Sequence, residues 1–165
     1  MCMKCEQLKM ENSEIKTCAF TGHRELGKDF EISALEREIK KAYDLGVRIF
    51  LSGMALGFDL VSAKCVLSFK EKYPDIKLIA CIPFYNQEKS FSEEDKKVYA
   101  EILQSADEQI LLSEKYYRGC LHVRNKYMAD RADMLITYCK KDTGGTAWTV
   151  KYFQKKYPLL KVVFL

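Results

Sequence analysis

The chain has 165 residues, of which 48% are hydrophobic and 12% aromatic, and this composition allows one continuous hydrophobic core. The formal net charge of +4 permits an anionic ligand, but it does not indicate the concentrated basic surface that is typical of nucleic-acid-binding domains. No apolar segment approaches the roughly 18 residues of a membrane span and no signal-peptide core is present, so we expect a soluble, cytoplasmic protein.

The seven cysteines are an odd number, and several lie inside apolar runs such as LIACIPF. This pattern indicates buried free thiols in a reducing compartment. Cys2 and Cys5 form a CxxC pair, but no second pair follows at the spacing of a zinc site. His23 and His122 are the only histidines, and neither has a partner at metal-ligand spacing. We therefore predict no metal site.

The first elements can be placed from hydrophobic spacing. Residues 1–16 are polar and weakly patterned and are interpreted as a tail, whereas residues 17–165 form a single predicted domain. TCAFTG is a predicted strand, and a helix with a Ser33–Glu36 capping box follows and ends at Gly46. The later predicted elements are strand VRIFLSG, helix 58–72, strand KLIACIP, helix 92–105, strand EQILLS, helix 119–131, strand DMLITYC, helix 146–156 and strand KVVFL.

Strand and helix therefore alternate along the chain, and the strands are nearly continuous apolar runs. Such runs are typical of strands that are covered on both faces, as in a parallel sheet flanked by helices. The sequence predicts an α/β fold with a doubly wound, mostly parallel sheet. Because ligands of such sheets bind beyond the carboxyl ends of the strands, the loops after the strands are the places to search for a site.

The loop after the second strand, SGMALGFD, contains Ser52, two glycines and a carboxylate. Gly53 would allow a ligand to approach the backbone closely, and Gly57 would leave the N–H groups of the next helix free for an anion. Asp59 lies in the first turn of that helix. It would either cap the helix or accept hydrogen bonds from a sugar hydroxyl, and the sequence leaves both roles open.

A second glycine-rich turn, DTGGTAW, connects the fifth strand to the last helix. Gly144, Gly145 and Thr146 would present free N–H groups and a hydroxyl, a combination that suits phosphate. Two such turns in one small domain are more persuasive than either alone.

Two further loops supply candidates. Gly22, His23 and Arg24 follow the first strand, and a polar loop without a ligand is the alternative interpretation. Pro83 and Phe84 follow the third strand, where an aromatic ring would either stack on a base or pack against the core.

Five segments together resemble the YpsA family of the SLOG superfamily: TGHR, SGMALGFD, IPFYNQ, RNKYMADRADMLI and DTGGTAW. This superfamily also contains DprA and the LOG-type phosphoribohydrolases. The resemblance extends over nearly the whole chain from Thr17 onward. It implies a Rossmann-like domain whose ligands are nucleotides or nucleotide-derived molecules such as NAD fragments and ADP-ribose. SGMALGFD is similar to the SGLARGID segment of the DprA branch, with Leu56 in place of its arginine.

The resemblance also implies a set of pocket residues, among which Arg24 and Arg124 would hold phosphates and Asp59 a ribose hydroxyl. RNKYM, with Arg124 and Asn125, is similar to the RNR segment of the DprA branch, although a solvated helix face is the alternative interpretation. The implied pocket residues are Gly22, Arg24, Ser52, Gly53, Gly57, Asp59, Arg124, Asn125, Gly144, Gly145 and Thr146.

Three functions remain open from the sequence. The leading hypothesis is binding of a nucleotide derivative, as in a sensor, with no cofactor beyond that ligand. A LOG-like N-glycosidase is the second. Its glutamate is absent here, because no Asp or Glu follows Asp142, although Asp59 could serve instead. Single-stranded DNA binding, as in DprA, is the third and requires a basic groove. The superfamily also makes self-association plausible.

Overall fold

Strands and helices alternate along the part of the chain that the structure, a computed structural model, describes: residues 16–165. Residues 1–15, with Cys2 and Cys5 and most of the predicted tail, lie outside this part. The strands are β1 (Thr17–Gly22), β2 (Ile49–Ser52), β3 (Lys77–Ile82), β4 (Glu108–Leu111), β5 (Met134–Tyr138) and β6 (Lys161–Phe164). The helices are α1 (Ile32–Asp44), α2 (Phe58–Lys72), α3 (Glu93–Ser105), α4 (Cys120–Arg131) and α5 (Gly145–Lys156), with a 3₁₀ turn at Gln87–Ser90.

The six strands form one sheet in the order β4-β3-β2-β1-β5-β6, and every neighbouring pair is parallel. Strands β2, β3 and β4 follow one another on one side of β1. Strands β5 and β6 lie on the other side of β1. The order thus reverses between β1 and β5, where Gly22 pairs with Tyr138. The predicted doubly wound α/β sheet is confirmed.

The two faces of the sheet are covered by different helices. Phe20 and Phe50 pack with residues of α1, α2 and α3 in the larger core, which includes Leu35. Ala19 and Leu51 point to the opposite face and pack under α4 and α5. Both faces are buried, which explains the nearly continuous apolar runs of the central strands. No helix within residues 16–165 has the length and hydrophobicity needed to cross a membrane.

One local prediction is wrong. The Ser33–Glu36 capping box does not form, because α1 begins at Ile32 and places Ser33 inside the helix. Glu31 is the N-cap residue, and no side chain caps this helix. Ala34 N–H and Leu35 N–H donate instead to the Glu31 carbonyl. Gly46 adopts a φ of 103° just after the helix, as predicted for a residue that ends it.

Candidate functional site

A cavity of about 250 Å³ lies at the carboxyl ends of β1 and β5, where the strand order reverses. This is the position at which open α/β sheets bind their ligands. The loops after β1 and β5, the start of α2, the helix α4 and the start of α5 all contribute to its wall. Of the predicted site residues, the following line it: Gly22, His23, Arg24, Asp59, Arg124, Asn125, Gly144, Gly145 and Thr146.

The start of α5 is open toward this cavity. Gly144 is the N-cap residue, with φ 92° and ψ −179°, a conformation that side-chain-bearing residues rarely adopt. No side chain caps this helix. The Thr149 hydroxyl donates to the Gly145 carbonyl at 2.8 Å. This hydrogen bond uses a carbonyl oxygen and does not involve the N–H groups of the first turn. The first turn of α5 therefore presents N–H groups and the positive end of the helix dipole to the cavity.

Asp59 is buried in the wall of the cavity, with 6% of its surface exposed. Its Oδ2 accepts a hydrogen bond from Ala55 N–H at 3.3 Å, and no side chain caps α2. Asp59 therefore makes no capping hydrogen bond to the helix on which it lies. Burial raises the pKa of Asp59 to about 6, although the positive charge of Arg124, the Ala55 N–H and the charge of Arg24 all oppose this shift.

Arg124 is equally buried, with 5% exposed, and its guanidinium is held by the protein itself. Its Nη1 donates to the Gly53 carbonyl, and its Nε donates to Asn125 Oδ1 at 2.8 Å. Burial lowers its pKa, whereas the charge of Asp59 acts in the opposite direction. Arg24, by contrast, is exposed at the rim of the cavity. The two arginines predicted to act alike therefore stand in different environments.

Ser52, Gly53 and Gly57 do not line the cavity but support its wall. A Cβ atom on Gly53 would lie 2.7 Å from Arg124 Nη1 and 2.8 Å from Asp59 Oδ2, so its small size admits these two side chains. The Ser52 hydroxyl donates to the Asp59 carbonyl at 3.0 Å and accepts from Met54 N–H at 3.2 Å. The close approach that the sequence predicted for a ligand is made here by the protein's own residues.

Gly57 fits the start of α2 against the loop after β1. It has a φ of 77°, and a Cβ atom there would lie 2.1 Å from the Arg24 carbonyl oxygen. Phe58 N–H donates to the His23 carbonyl at 3.1 Å, and the Phe58 ring leaves no space for a side chain on Gly22. The first residues of α2 are therefore packed against protein, which distinguishes this glycine turn from the open start of α5.

His23 joins the two loops that flank the cavity. Its backbone N–H donates to the Tyr138 carbonyl at 3.2 Å, and its ring Nε2 accepts from Lys140 N–H at 2.7 Å. Burial, with a contribution from the charge of Lys141, lowers the pKa of His23. The neutral ring that results is the form able to accept this hydrogen bond.

Pro83 and Phe84 are not brought to the cavity, because β3 is separated from β1 by β2. Pro83 is buried, and Phe84 lines a separate cleft together with Tyr116, their ring centroids 5.2 Å apart. Conversely, the cavity contains residues that the sequence reasoning missed, namely Phe20, Thr21, Ala55, Leu121, Met128 and Thr143. Thr21 and Thr143 adjoin the glycine motifs, which is the signal that could have identified them.

Comparison with known protein families identifies the family of this chain. The sequence model of the YpsA family, described as a SLOG family, matches residues 18–161. The chain belongs to this family. The YpsA protein of Bacillus subtilis is 27% identical over 159 residues, which cover 86% of each chain.

Two solved structures of DprA proteins are similar in fold to this chain. The X-ray structure of DprA from Streptococcus pneumoniae has a TM-score of 0.61 at 17% identity, covering 91% of this chain and 50% of that one. DprA from Helicobacter pylori, whose structure concerns its single-stranded DNA binding mode, has a TM-score of 0.62 at 17% identity, covering 90% and 65%. The chain thus spans one half to two thirds of these DprA chains. At this identity the likeness establishes the Rossmann-like fold.

Proposed function

We propose that this protein binds a nucleotide or a nucleotide-derived ligand of the NAD or ADP-ribose type in the cavity between β1 and β5. The observation that carries the proposal is the uncapped first turn of α5, which faces the same cavity as the exposed Arg24. A phosphate there would accept hydrogen bonds from backbone N–H groups and pair with a guanidinium. Because the LOG-type glutamate is absent, the proposed role is binding, as in a sensor, rather than turnover.

Asp59 supplies the second part of the proposal. Its carboxylate lines the cavity and makes no capping hydrogen bond to its helix, which leaves it able to accept from a ribose hydroxyl. Arg124 is held on Gly53 and Asn125, and its proposed role is to keep positive charge beside this carboxylate. Arg24 and the start of α5 then hold the phosphate.

The test is thermal unfolding with a panel of nucleoside mono-, di- and triphosphates, NAD, ADP-ribose and short single-stranded DNA. A ligand at 100 times its Kd should stabilise the folded protein by about 2.7 kcal/mol. For a domain of this size we expect the Tm to rise by roughly 5 to 11 °C. Absence of a shift with every phosphate-bearing ligand would contradict the proposal.

Two variants connect this binding to the cavity. Arg24→Gln removes the rim charge, and Arg37→Gln, on the exposed side of α1, is its matched control. Gly145→Val adds a side chain whose Cβ lies 3.5 Å from Asn125 Nδ2, an ordinary contact distance that the fold can accept. We expect Arg24→Gln and Gly145→Val to lose most of the ligand-induced shift and Arg37→Gln to retain it.

A hydrolytic activity is a second candidate because Asp59 is a buried carboxyl in the cavity with a pKa near 6, which suits a general acid or base. The same mixtures should therefore be examined for free base and ribose phosphate. Release that is abolished in Asp59→Asn would support an N-glycosidase, whereas intact ligand would support binding alone.

A further inference from the structure

A second cleft, of about 520 Å³, lies at the same edge of the sheet but belongs to other loops. We call it the tyrosine cleft; it is formed by residues 84–87, 89 and 90 after β3 and by Glu114 and Tyr116 after β4. Tyr85 is 64% exposed and Tyr116 is 66% exposed. Aromatic rings that pack into the core lose nearly all of their exposed surface, so these two rings are available to a partner.

The shape of the tyrosine cleft is fixed by hydrogen bonds between its walls. Tyr85 N–H donates to the Ser113 carbonyl at 3.0 Å and so ties one loop to the other. Gln87, at the base, is only 7% exposed, and its Nε2 donates to the Tyr99 hydroxyl at 3.2 Å. The edge-on contact of Phe84 with Tyr116 closes one side. A preformed cleft of this kind binds a ligand without first having to order its walls.

The tyrosine cleft and the main cavity share a wall. Gln87 Nε2 also donates to the Gly53 carbonyl at 3.4 Å, and the same oxygen accepts from Arg124 Nη1. One side chain belongs to the tyrosine cleft and the other to the cavity. The two side chains therefore meet at one carbonyl oxygen in the wall between the tyrosine cleft and the cavity, and a ligand with two linked units could place one unit in each.

The size of the main cavity favours such a ligand. Its volume of about 250 Å³ is below the range of about 300 to 1,000 Å³ that is usual for sites that enclose a drug-sized molecule. The cavity therefore accommodates a phosphate and its sugar more readily than a ligand with two nucleoside units. The remaining part of a larger ligand needs an adjoining surface.

We propose that the tyrosine cleft binds the second nucleobase of a ligand whose phosphate occupies the main cavity. This inference rests on the proposed function. The exposed rings of Tyr85 and Tyr116 would stack on a flat base, while Asn86, Gln87 and Ser90 offer groups that hydrogen-bond to its edge. Lys89 and Glu114 bring opposite charges to the rim, which suits a neutral planar group better than a second phosphate.

The test compares probes that differ by one base unit. The probes are AMP, the 5′-phosphorylated dinucleotide pdApdA, and NAD, each titrated calorimetrically against the wild-type protein and Tyr116→Leu. Tyr117→Leu is the matched control, because Tyr117 is the adjacent tyrosine, is exposed and does not line the tyrosine cleft. Tyr85→Leu provides a second variant on the opposite loop.

We expect Tyr116→Leu and Tyr85→Leu to bind AMP as the wild type does and to bind NAD or pdApdA roughly tenfold or more weakly. The two dinucleotides distinguish a pyrophosphate-linked ligand from single-stranded nucleic acid. Equal binding of both dinucleotides by the wild type and the two cleft variants would overturn the inference and leave the proposed function standing. If AMP and both dinucleotides fail to bind the wild type, this inference falls, and the proposed function falls with it when no other phosphate-bearing ligand of the thermal panel binds.

Discussion

Asp59 and Arg124 show how burial changes what a charged residue can do. Both residues are almost fully buried in the wall of the cavity. Their hydrogen bonds go to the loop after β2: Asp59 accepts from Ala55 N–H, and Arg124 donates to the Gly53 carbonyl. An ionised carboxyl is destabilised by such enclosure, and the nearby guanidinium offsets only part of that effect. Protonation of Asp59 is therefore linked to the stability of the fold.

The predicted consequence is a pH-dependent difference between the wild type and Asp59→Asn. The folded-state pKa of about 6 lies above the value of about 3.9 expected in the unfolded chain. The stability due to neutral Asp59 is thus fully present below about pH 4 and is lost as the pH rises through about 6. Asparagine does not ionise. Relative to the wild type, the free energy of unfolding of Asp59→Asn should therefore rise by about 2 to 3 kcal/mol between pH 4 and pH 7.

Denaturant unfolding of both proteins at several pH values measures this difference. The absolute stability of the variant also includes the loss of a partner for buried Arg124, so only the change with pH is diagnostic. Asp142→Asn, at an exposed position, is the control for removal of a surface charge. A difference that stays constant from pH 4 to pH 7 would show that Asp59 ionises as an ordinary carboxyl.

The residue types at the site could be predicted from the sequence, but their roles could not. Gly53 and Gly57 stand in a motif that resembles a ligand loop, yet the structure uses both for packing. The spacing of these two glycines in the sequence is the same whether a phosphate or an arginine side chain approaches the backbone. Only the long-range contact between Gly53 and Arg124 distinguishes these cases, and 71 residues separate the two in sequence.

At the scale of elements, the beginnings of helices illustrate the limits of local signals. Ser33 is predicted to cap one helix and Ser92 is the first residue of another predicted helix, but only Ser92 is an N-cap residue. The Ser92 hydroxyl accepts from Asp95 N–H at 3.1 Å, and α3 begins at the next residue. In α1 the helix starts one residue before Ser33, which removes the geometry that a capping box requires.

This difference predicts opposite outcomes for the same substitution. Ser92→Ala should destabilise the protein by about 1 kcal/mol, because the Asp95 N–H loses its acceptor. The corresponding fall in Tm is roughly 2 to 4 °C. Ser33→Ala, in an exposed helical position, should change the Tm by less than a degree or raise it slightly, since alanine has the higher helix propensity. Thermal unfolding followed by circular dichroism measures both, and equal losses would contradict the assignment of the two caps.

The central strands are predictable from the sequence because burial on both faces produces a nearly continuous apolar run. The order of the strands in the sheet could not be predicted, because packing between segments that are distant in sequence determines which strands are neighbours. The sequence alone groups Phe84 with the other candidates, because the loop after any parallel strand reaches the same edge of the sheet. With β2 between β3 and β1, strand spacing alone moves that loop by about 10 Å.

The whole molecule has a modest net charge of +4. Two arginine side chains line the cavity, and they differ in exposure. Arg24 is exposed there, whereas Arg124 is already occupied by Gly53 and Asn125. A single strand that neutralises one or two cations should therefore lose only about 3- to 7-fold in affinity between 50 and 200 mM salt. Fluorescence anisotropy of a labelled oligonucleotide measures this dependence. A loss of a hundredfold or more would instead indicate a broad cationic surface.

The two outer strands of the sheet bear on how copies of the chain can meet. β4 and β6 are each four residues long, and each begins with an exposed charged residue, Glu108 and Lys161. Short, charged borders discourage another sheet from continuing the hydrogen-bond ladder. Within the described residues, the outer strands therefore disfavour assembly by addition of a strand from a second copy to either side of the sheet.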